Sequence, residues 1–232
     1  MKISVVIPAL NEEAYIRETL ICALNAGADQ IIVCDGGSSD QTKTIATDLK
    51  CQVVHATAGR GPQLARGAEL ALGDVLLFLH ADTRLTENCL NQIRTVVRRE
   101  PEDDCDHKIV WGCFEHRVQA TGWKYRCVEQ GNQLRVRFRG IAYGDQGIWM
   151  TREAYQWADG FRSVPLMEDL LICRKLARKS KPVLLPGPVM IPDRHWRRGV
   201  VRTTIRNWTA VTMFRLGMKP ERIAKFYCQR TT

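Results

Sequence analysis

An α/β fold, with a mostly parallel central sheet flanked by helices, is predicted by three observations. Short apolar runs rich in Val and Ile alternate with amphipathic stretches through residues 1–100. The run Val75-Leu76-Leu77-Phe78-Leu79 is apolar without alternation, which suits a strand covered on both faces. Polar clusters follow three of the apolar runs: Asn11-Glu12, Asp35-Gly36-Gly37 and His80-Ala81-Asp82. In open α/β sheets the carboxyl edge of the strands is where ligands bind.

The elements follow in order. Ile3–Pro8 reads as the first strand and Glu12–Asn25 as a helix. Gln30–Asp35 is the second strand, Asp40–Lys50 a helix and Gln52–His55 the third strand. Pro62–Leu72 is a helix, with Pro62 suited to a first turn. Asp74–His80 is the fourth strand and Glu87–Arg99 the next helix. This rhythm implies right-handed crossovers. After residue 100 the pattern changes. Pro101–Lys108 is an acidic loop, Ile109–Gln119 a long strand and Gly122–Arg137 a helix. Gly144–Thr151 returns to the site region, and Met167–Lys179 is helical. Pro182–Ile191 holds one or two short strands broken at Pro186-Gly187-Pro188. Val200–Leu216 is a helix, on which Arg198, Arg202 and Arg206 would form a basic stripe.

The length of 232 residues suits one domain with a substantial core, and 45% hydrophobic content excludes a disordered chain. Within it, residues 1–100 would form one half, 101–193 a second and 194–232 a basic helical tail. The N-terminus reads as a strand rather than a signal peptide, and no apolar run is long enough to span a membrane. Nine scattered cysteines without a Cys-x-x-Cys pair point to free thiols in a reducing, cytoplasmic setting. Net charge is +9; residues 194–232 hold ten basic residues and one acidic, 10 − 1 = +9, so the whole excess lies in the tail. Three partners suit such a tail: anionic lipid at the inner face of the membrane, a phosphorylated acceptor, or a diphosphate. Nucleic acid is not expected, because no nucleic-acid motif accompanies the charge.

His80 and Asp82 would project to one side of an extended chain and could hold a divalent metal, which in turn could hold a phosphate. Asp35-Gly36-Gly37-Ser38-Ser39-Asp40 would leave backbone close to a ligand, with Ser38, Ser39 or Asp40 capping the next helix. Gly59-Arg60-Gly61 opens a helix that also carries Gln63 and Arg66, an arrangement suited to anions. It lacks the Gly-Lys-Ser/Thr ending of a Walker loop, and no Gly-x-Gly-x-x-Gly follows strand one. Singly, each cluster is also what an ordinary βα turn looks like.

Taken in order, these stretches resemble the family 2 glycosyltransferases with their GT-A type nucleotide-diphospho-sugar transferase fold. The resemblance is carried by Val5-Val6-Ile7-Pro8-Ala9-Leu10-Asn11-Glu12, Asp35-Gly36-Gly37-Ser38-Ser39-Asp40 and Gly73-Asp74-Val75 through Asp82. Gly144-Asp145-Gln146-Gly147 and Glu168-Asp169 extend it to about residue 185. Leu79-His80-Ala81-Asp82-Thr83 and His195-Trp196-Arg197-Arg198 are similar to patterns of the bacterial radical-SAM and selenodomain-associated subgroup.

The resemblance implies a metal-dependent, inverting transferase moving a sugar from a UDP- or GDP-sugar to a hydroxyl acceptor. Pro8, Leu10, Glu12 and Asp35 would then line the nucleoside pocket, with Arg60, Gln63, Arg66 and Ala81 near the nucleotide-sugar. The family's Asp-x-Asp reads His80-x-Asp82 here, so Asp82 would ligate Mn²⁺ or Mg²⁺. His80 could ligate, bond the ribose or orient Asp82, and His195 would add a third ligand. Arg194, Trp196 and Arg197 would cover the diphosphate. Asp169 would be the catalytic base with Glu168 positioning the acceptor, and Asp145 and Gln146 would border the acceptor site. Trp111, Tyr143 and Trp149 are candidates to stack on a sugar, although single aromatics usually serve the core. Two other readings are a nucleotidyltransferase, whose Gly-rich basic signature is missing beside strand one, and a noncatalytic nucleotide-sugar-binding protein.

Overall fold

The computed structural model describes residues 1–99, 109–196 and 199–228. Among the described residues one eight-stranded sheet runs in the order Gln52–His55, Gln30–Asp35, Ile3–Ala9, Val75–Phe78, Ile148–Thr151, Trp111–Val118, Val183–Ile191, Arg84–Leu85. Its first half is the predicted parallel unit: β1 (Ile3–Ala9), β2 (Gln30–Asp35), β3 (Gln52–His55) and β4 (Val75–Phe78), all parallel. Every residue of β1 and β4 is buried, as a sheet covered on both faces requires. The helices α1 (Ile16–Asn25), α2 (Thr42–Asp48), α3 (Arg60–Leu70) and α4 (Cys89–Arg99) supply the crossovers. On α1 the buried residues Ile16, Thr19, Leu20 and Ala23 trace one face of a 3.6-residue period. Helix α3 lies close on the sheet because Gly67 has no side chain: a β-carbon there would stand 2.3 Å from Cγ1 of Val6.

The second half turns antiparallel. Strand β7 (Ile148–Thr151) pairs antiparallel with β4 and with β6 (Trp111–Val118), and thereby joins the two halves. Strand β8 (Val183–Ile191) runs parallel to β6. It differs from the expectation of broken strands: one nine-residue strand passes through Pro186-Gly187-Pro188 with a cis Gly187–Pro188 bond. The irregularity is absorbed by a register shift between Phe114 and His116 on β6. Residues Arg84–Leu85 form β5, too short to show as a pattern, which pairs antiparallel with β8.

Five further helices follow among the described residues, namely α5 (Trp123–Arg139), α6 (Arg152–Trp157), α7 (Glu168–Leu176), α8 (Val200–Arg215) and α9 (Pro220–Cys228). Helices α6 and α9 were not anticipated. The acidic loop Pro101–Lys108 and the stripe residue Arg198 lie outside the described residues. No described helix is long and apolar enough to cross a membrane.

Candidate active site

The carboxyl edge of β1, β2 and β4 is built from two turns stitched to each other. Asn11 N–H donates to Oγ of Ser38 at 3.0 Å, and Glu12 N–H donates to Oγ1 of Thr42 at 2.8 Å. Asp35 is buried and accepts from the N–H groups of Gly37 and Ser38 at 2.9 and 3.0 Å. Its carboxylate thus shapes the glycine turn as well as facing the edge. Asp40 braces Thr42 rather than capping α2 in the ordinary way, accepting from both its N–H and its hydroxyl.

Gln63 does not reach outward as expected. It is buried, and both amide hydrogens are committed, to Ala9 O at 2.8 Å and to Cys34 O at 2.7 Å. Arg66 lies one turn outward on α3 and pairs with Glu69 at 2.8 Å. Pro8 is buried within β1, whereas Leu10 is exposed at the edge.

Strand β4 ends at Phe78, and residues 80–83 form a turn closed by Thr83 N–H donating to His80 O at 3.0 Å. The extended geometry assumed for His80 and Asp82 is therefore replaced by a turn, and their side chains take different partners. Ala81 O accepts from Oγ1 of Thr19, which ties the turn to α1. Asp82 is buried and meets Arg194, whose Nε lies 2.6 Å from Oδ2. The other two guanidinium nitrogens of Arg194 clasp Glu12 in a fork, each at 2.9 Å. The same guanidinium lies 4.6 Å from the centre of the Tyr15 ring. A single cation thus ties the ends of β1 and β4 to a segment late in the chain.

That segment is held down by Trp196. This residue is buried against Val118 and Ile191 and meets Tyr125 edge-on, so it anchors the segment from within rather than facing a diphosphate. Arg197 and the side chain of His195 lie outside the described residues.

His80 faces the second half of the molecule. A β-carbon at Gly144 would stand 2.4 Å from its Nε2, so the imidazole packs directly on the glycine backbone. Burial lowers the imidazole pKa, Arg60 lowers it further, and Asp82, Asp145 and Asp169 oppose the shift. The net shift is downward, so the ring is neutral at pH 7. Gly144 N–H in turn donates to Oδ2 of Asp169 at 3.0 Å, and Oδ1 of Asp169 accepts from its neighbour Leu170 N–H at 2.7 Å. His80, Gly144 and Asp169 therefore form a chain of contacts across the edge.

Glu168 opens α7 behind Met167, which adopts φ 70°, a left-handed conformation uncommon for a residue with a β-carbon. Such strain collects where a turn is constrained by function. Glu168 is buried, and its Oε1 pairs with Nε of Arg60 at 3.1 Å. Burial pushes its carboxyl up to about 7; Arg60 pulls it down and Asp169 pushes it up. Gly61 makes the pairing possible: a β-carbon there would stand 2.3 Å from Arg162 O, so α3 and residues 162–164 touch backbone to backbone. Nothing in the Gly59-Arg60-Gly61 pattern distinguishes this packing role from anion binding.

Gln146 also departs from the expectation. It is fully buried, its Oε1 accepts from Nη2 of Arg135 at 2.5 Å and from Tyr143 N–H at 3.2 Å, and its amide faces Phe114 O. It supports the 144–146 turn from below. Arg135 stacks 3.4 Å from the centre of the Tyr143 ring and also bonds Asn132 and Ile141 O. Asn132 continues to Nε2 of the buried His116 at 3.2 Å. No short motif marked this network, because its members come from β6, α5 and the 144–146 turn. Trp111 and Trp149 are fully buried core residues, not sugar platforms. Among the described residues, Oδ1 of Asp145 and Oε2 of Glu168 are buried without a hydrogen-bond partner.

Comparison with known proteins defines the class. The family model described as glycosyl transferase family 2 matches residues 4–157, and the chain belongs to that family. One relative is the glucosyl-3-phosphoglycerate synthase of Mycolicibacterium smegmatis, 35% identical over 92 residues, which cover 34% of this chain and 30% of that protein. The chain therefore spans less than a third of that relative's length. Among solved structures, residues 1–349 of Staphylococcus aureus TarS in complex with UDP-GlcNAc match with a TM-score of 0.62 at 18% identity, over 83% of this chain and 58% of that one. The glucosyl-3-phosphoglycerate synthase of Mycobacterium tuberculosis, in complex with Mn²⁺ and UDP-glucose, matches with a TM-score of 0.56 at 19% identity, over 82% and 70%. These likenesses establish the GT-A fold.

Proposed function

We propose that this chain transfers a sugar, with inversion, from a UDP-sugar to a hydroxyl acceptor. The observation that carries the reading is the sheet edge where His80 and Asp169 meet through Gly144, with Asp82 in the same turn as His80. UDP is preferred over GDP because the TarS and synthase structures named above hold UDP-sugars.

A divalent cation fits this edge. Asp82 is a buried carboxylate that already carries a cationic partner. Among the described residues, no three His, Cys, Asp or Glu side chains gather into a metal cage. One protein carboxylate completed by diphosphate oxygens and water is a common coordination for Mg²⁺ or Mn²⁺. Asp82 would hold the ion, with His80 beside it. When bound, the ion would offset charge on the departing diphosphate.

The remaining chemistry belongs to the chain's own residues. Asp169 accepts one backbone N–H at each oxygen, which leaves each a lone pair, and would accept the acceptor's proton. As that proton leaves, the acceptor oxygen bonds to the anomeric carbon on the face opposite the breaking carbon–oxygen bond, and nucleoside diphosphate departs with the electron pair. Arg60 and Arg194 bring positive charge to the edge that would favour anionic oxygens, the fork of Arg194 being held by Glu12. The unpartnered oxygens of Asp145 and Glu168 await hydroxyl donors, as a sugar or an acceptor supplies.

Glu168 is the competing base, since a carboxyl near 7 matches proton transfer at neutral pH. Assignment to the radical-SAM and selenodomain-associated subgroup is part of the same proposal, resting on Leu79-His80-Ala81-Asp82-Thr83.

The test is a screen of nucleotide-sugars with Mn²⁺ and Mg²⁺, reading both thermal shift and release of nucleoside diphosphate. A donor at 100 times its dissociation constant adds about 2.7 kcal/mol of stability. Stabilisation by a UDP-sugar, with slow UDP release, is expected. Release of pyrophosphate from a nucleoside triphosphate would establish the nucleotidyltransferase instead. Binding without turnover, even with acceptor hydroxyls supplied, would establish the noncatalytic reading.

A further inference from the structure

Helices α5 and α8 leave a groove of about 810 Å³ between them. Its α5 wall carries Trp123, Leu134 and Phe138, which are 72, 52 and 82% exposed. Its α8 wall carries Val201, Ile205 and Trp208, which are 63, 59 and 71% exposed. Spacings of eleven and four on α5, and of four and three on α8, place each set on one helix face. The opposite face of α8 is also apolar: Ala210 packs with Met167, Leu170 and Ile223 in a separate small core. A helix that is apolar on both sides has both sides covered. Here the outer side lies open.

The rim shows what covers it. Lys124, Arg139 and Arg215 border the groove, and among the described residues no Asp or Glu lines it. None of these three cations makes an ion pair among the described residues. The basic stripe anticipated at Arg202 and Arg206 is not the feature concerned, because neither residue lines the groove. A second copy of this chain is a poor occupant, since a two-fold contact through the same face would set these cations against their own kind. Exposed Trp and Phe beside Lys and Arg, with no acidic side chain among the described lining residues, match the interfacial region of an anionic bilayer.

We propose that the α5–α8 face docks on an anionic lipid leaflet, with Trp123, Phe138, Ile205 and Trp208 entering the interface and Lys124, Arg139 and Arg215 meeting lipid phosphates. Tyr143 lies on the groove floor and immediately precedes Gly144, so the docked face borders the Asp169 side of the edge. On the transfer reading above, which only this sentence needs, the acceptor is presented from the lipid layer.

The test is co-sedimentation of the full chain with phosphatidylcholine vesicles prepared with and without phosphatidylglycerol, in the absence of any donor. Binding should rise about tenfold with phosphatidylglycerol and fall again as salt is added. The double variant Phe138→Ser/Trp208→Ser should lose about tenfold, and Arg139→Gln/Arg215→Gln should bind both vesicle types alike. These positions are at the surface, so circular dichroism should report unchanged folding. Equal sedimentation with both vesicles, or wild-type binding by both double variants, would overturn the proposal. So would a concentration-dependent dimer by light scattering that Phe138→Ser/Trp208→Ser abolishes, with no vesicle binding. Because no donor is present, failure here is distinct from failure of the transfer reading.

Discussion

Arg194 places Nε 2.6 Å from the carboxylate of Asp82 while its remaining nitrogens fork onto Glu12. Two acidic residues from different strand ends thus share one cation that arrives late in the chain. Removing it takes that cation from a buried carboxylate, which is costlier than losing a surface pair. Arg194 is 27% exposed, so the loss falls below that of a fully buried pair. We expect Arg194→Gln to lower unfolding free energy by about 2 kcal/mol in urea titrations. Asp82, relieved of its partner, should also respond more to a metal. Mn²⁺ alone should raise the melting temperature of the variant more than that of the wild type. Unchanged stability together with an unchanged Mn²⁺ response would show that the pair holds nothing in place.

The two acidic residues at the start of α7 differ in environment, which separates their roles. Asp169 accepts two backbone N–H bonds, whereas Glu168 is buried beside Arg60. We expect Asp169→Asn to slow turnover by roughly 10²- to 10⁴-fold, the range for loss of a general base, with donor affinity unchanged. Glu168→Gln should act mainly on the acceptor's KM. Single-turnover kinetics alongside donor binding measures both. The reverse pattern, with Glu168→Gln nearly inactive and Asp169→Asn nearly normal, would pass the base to Glu168.

Glu168 also links stability to pH. Burial is the main cause raising its carboxyl from 4.5 to about 7, with Arg60 opposing. The folded protein therefore holds a proton that the unfolded chain gives up. The resulting stabilisation is fully present below about 4.5 and is lost as pH rises to about 7. Wild-type unfolding free energy should fall across that window relative to Glu168→Gln, and the two profiles should run parallel above it. Parallel profiles throughout would mean that Glu168 is ionised in the fold at all these pH values.

The parallel half of the fold was legible because period and punctuation agree there. Val75–Leu79 is apolar throughout, and the glycines after Asp35 mark where the strand ends. The strand through Pro186-Gly187-Pro188 was not legible, because its irregularity is matched by a shift on β6, a partner distant in sequence. Site residues divide similarly. Asp82, Asp169 and Glu12 stand at strand or helix ends; Asp82 and Glu12 meet through Arg194, and Asp169 bonds Gly144. Gln63 and Gln146 looked like ligand contacts from their neighbours in sequence, yet their amides serve backbone and side chains beneath the turns. Amide groups satisfy buried backbone as readily as they bind sugars, and only tertiary contacts decide between the two. The Arg60–Glu168 pair depends on Gly61 touching residues 162–164, a contact without local signature.

Gly144 offers the sharpest test of the link between His80 and Asp169. Its φ is not in the left-handed region, so alanine is allowed by the backbone there. The obstacle is the imidazole, whose Nε2 would lie 2.4 Å from the new methyl group. A side chain can move where a backbone cannot, so Gly144→Ala should cost stability only mildly, about 1–2 kcal/mol. The displaced ring should lower turnover far more, by about 10²-fold, as a shift of 1 Å in a site can. A double-mutant cycle separates this from simple damage to the turn. With His80→Ala in place the clash is gone, so adding Gly144→Ala should cost almost nothing further in either stability or turnover. Additive losses in the double variant would mean that Gly144 acts through its N–H bond to Asp169 alone, and that His80 works independently of the turn.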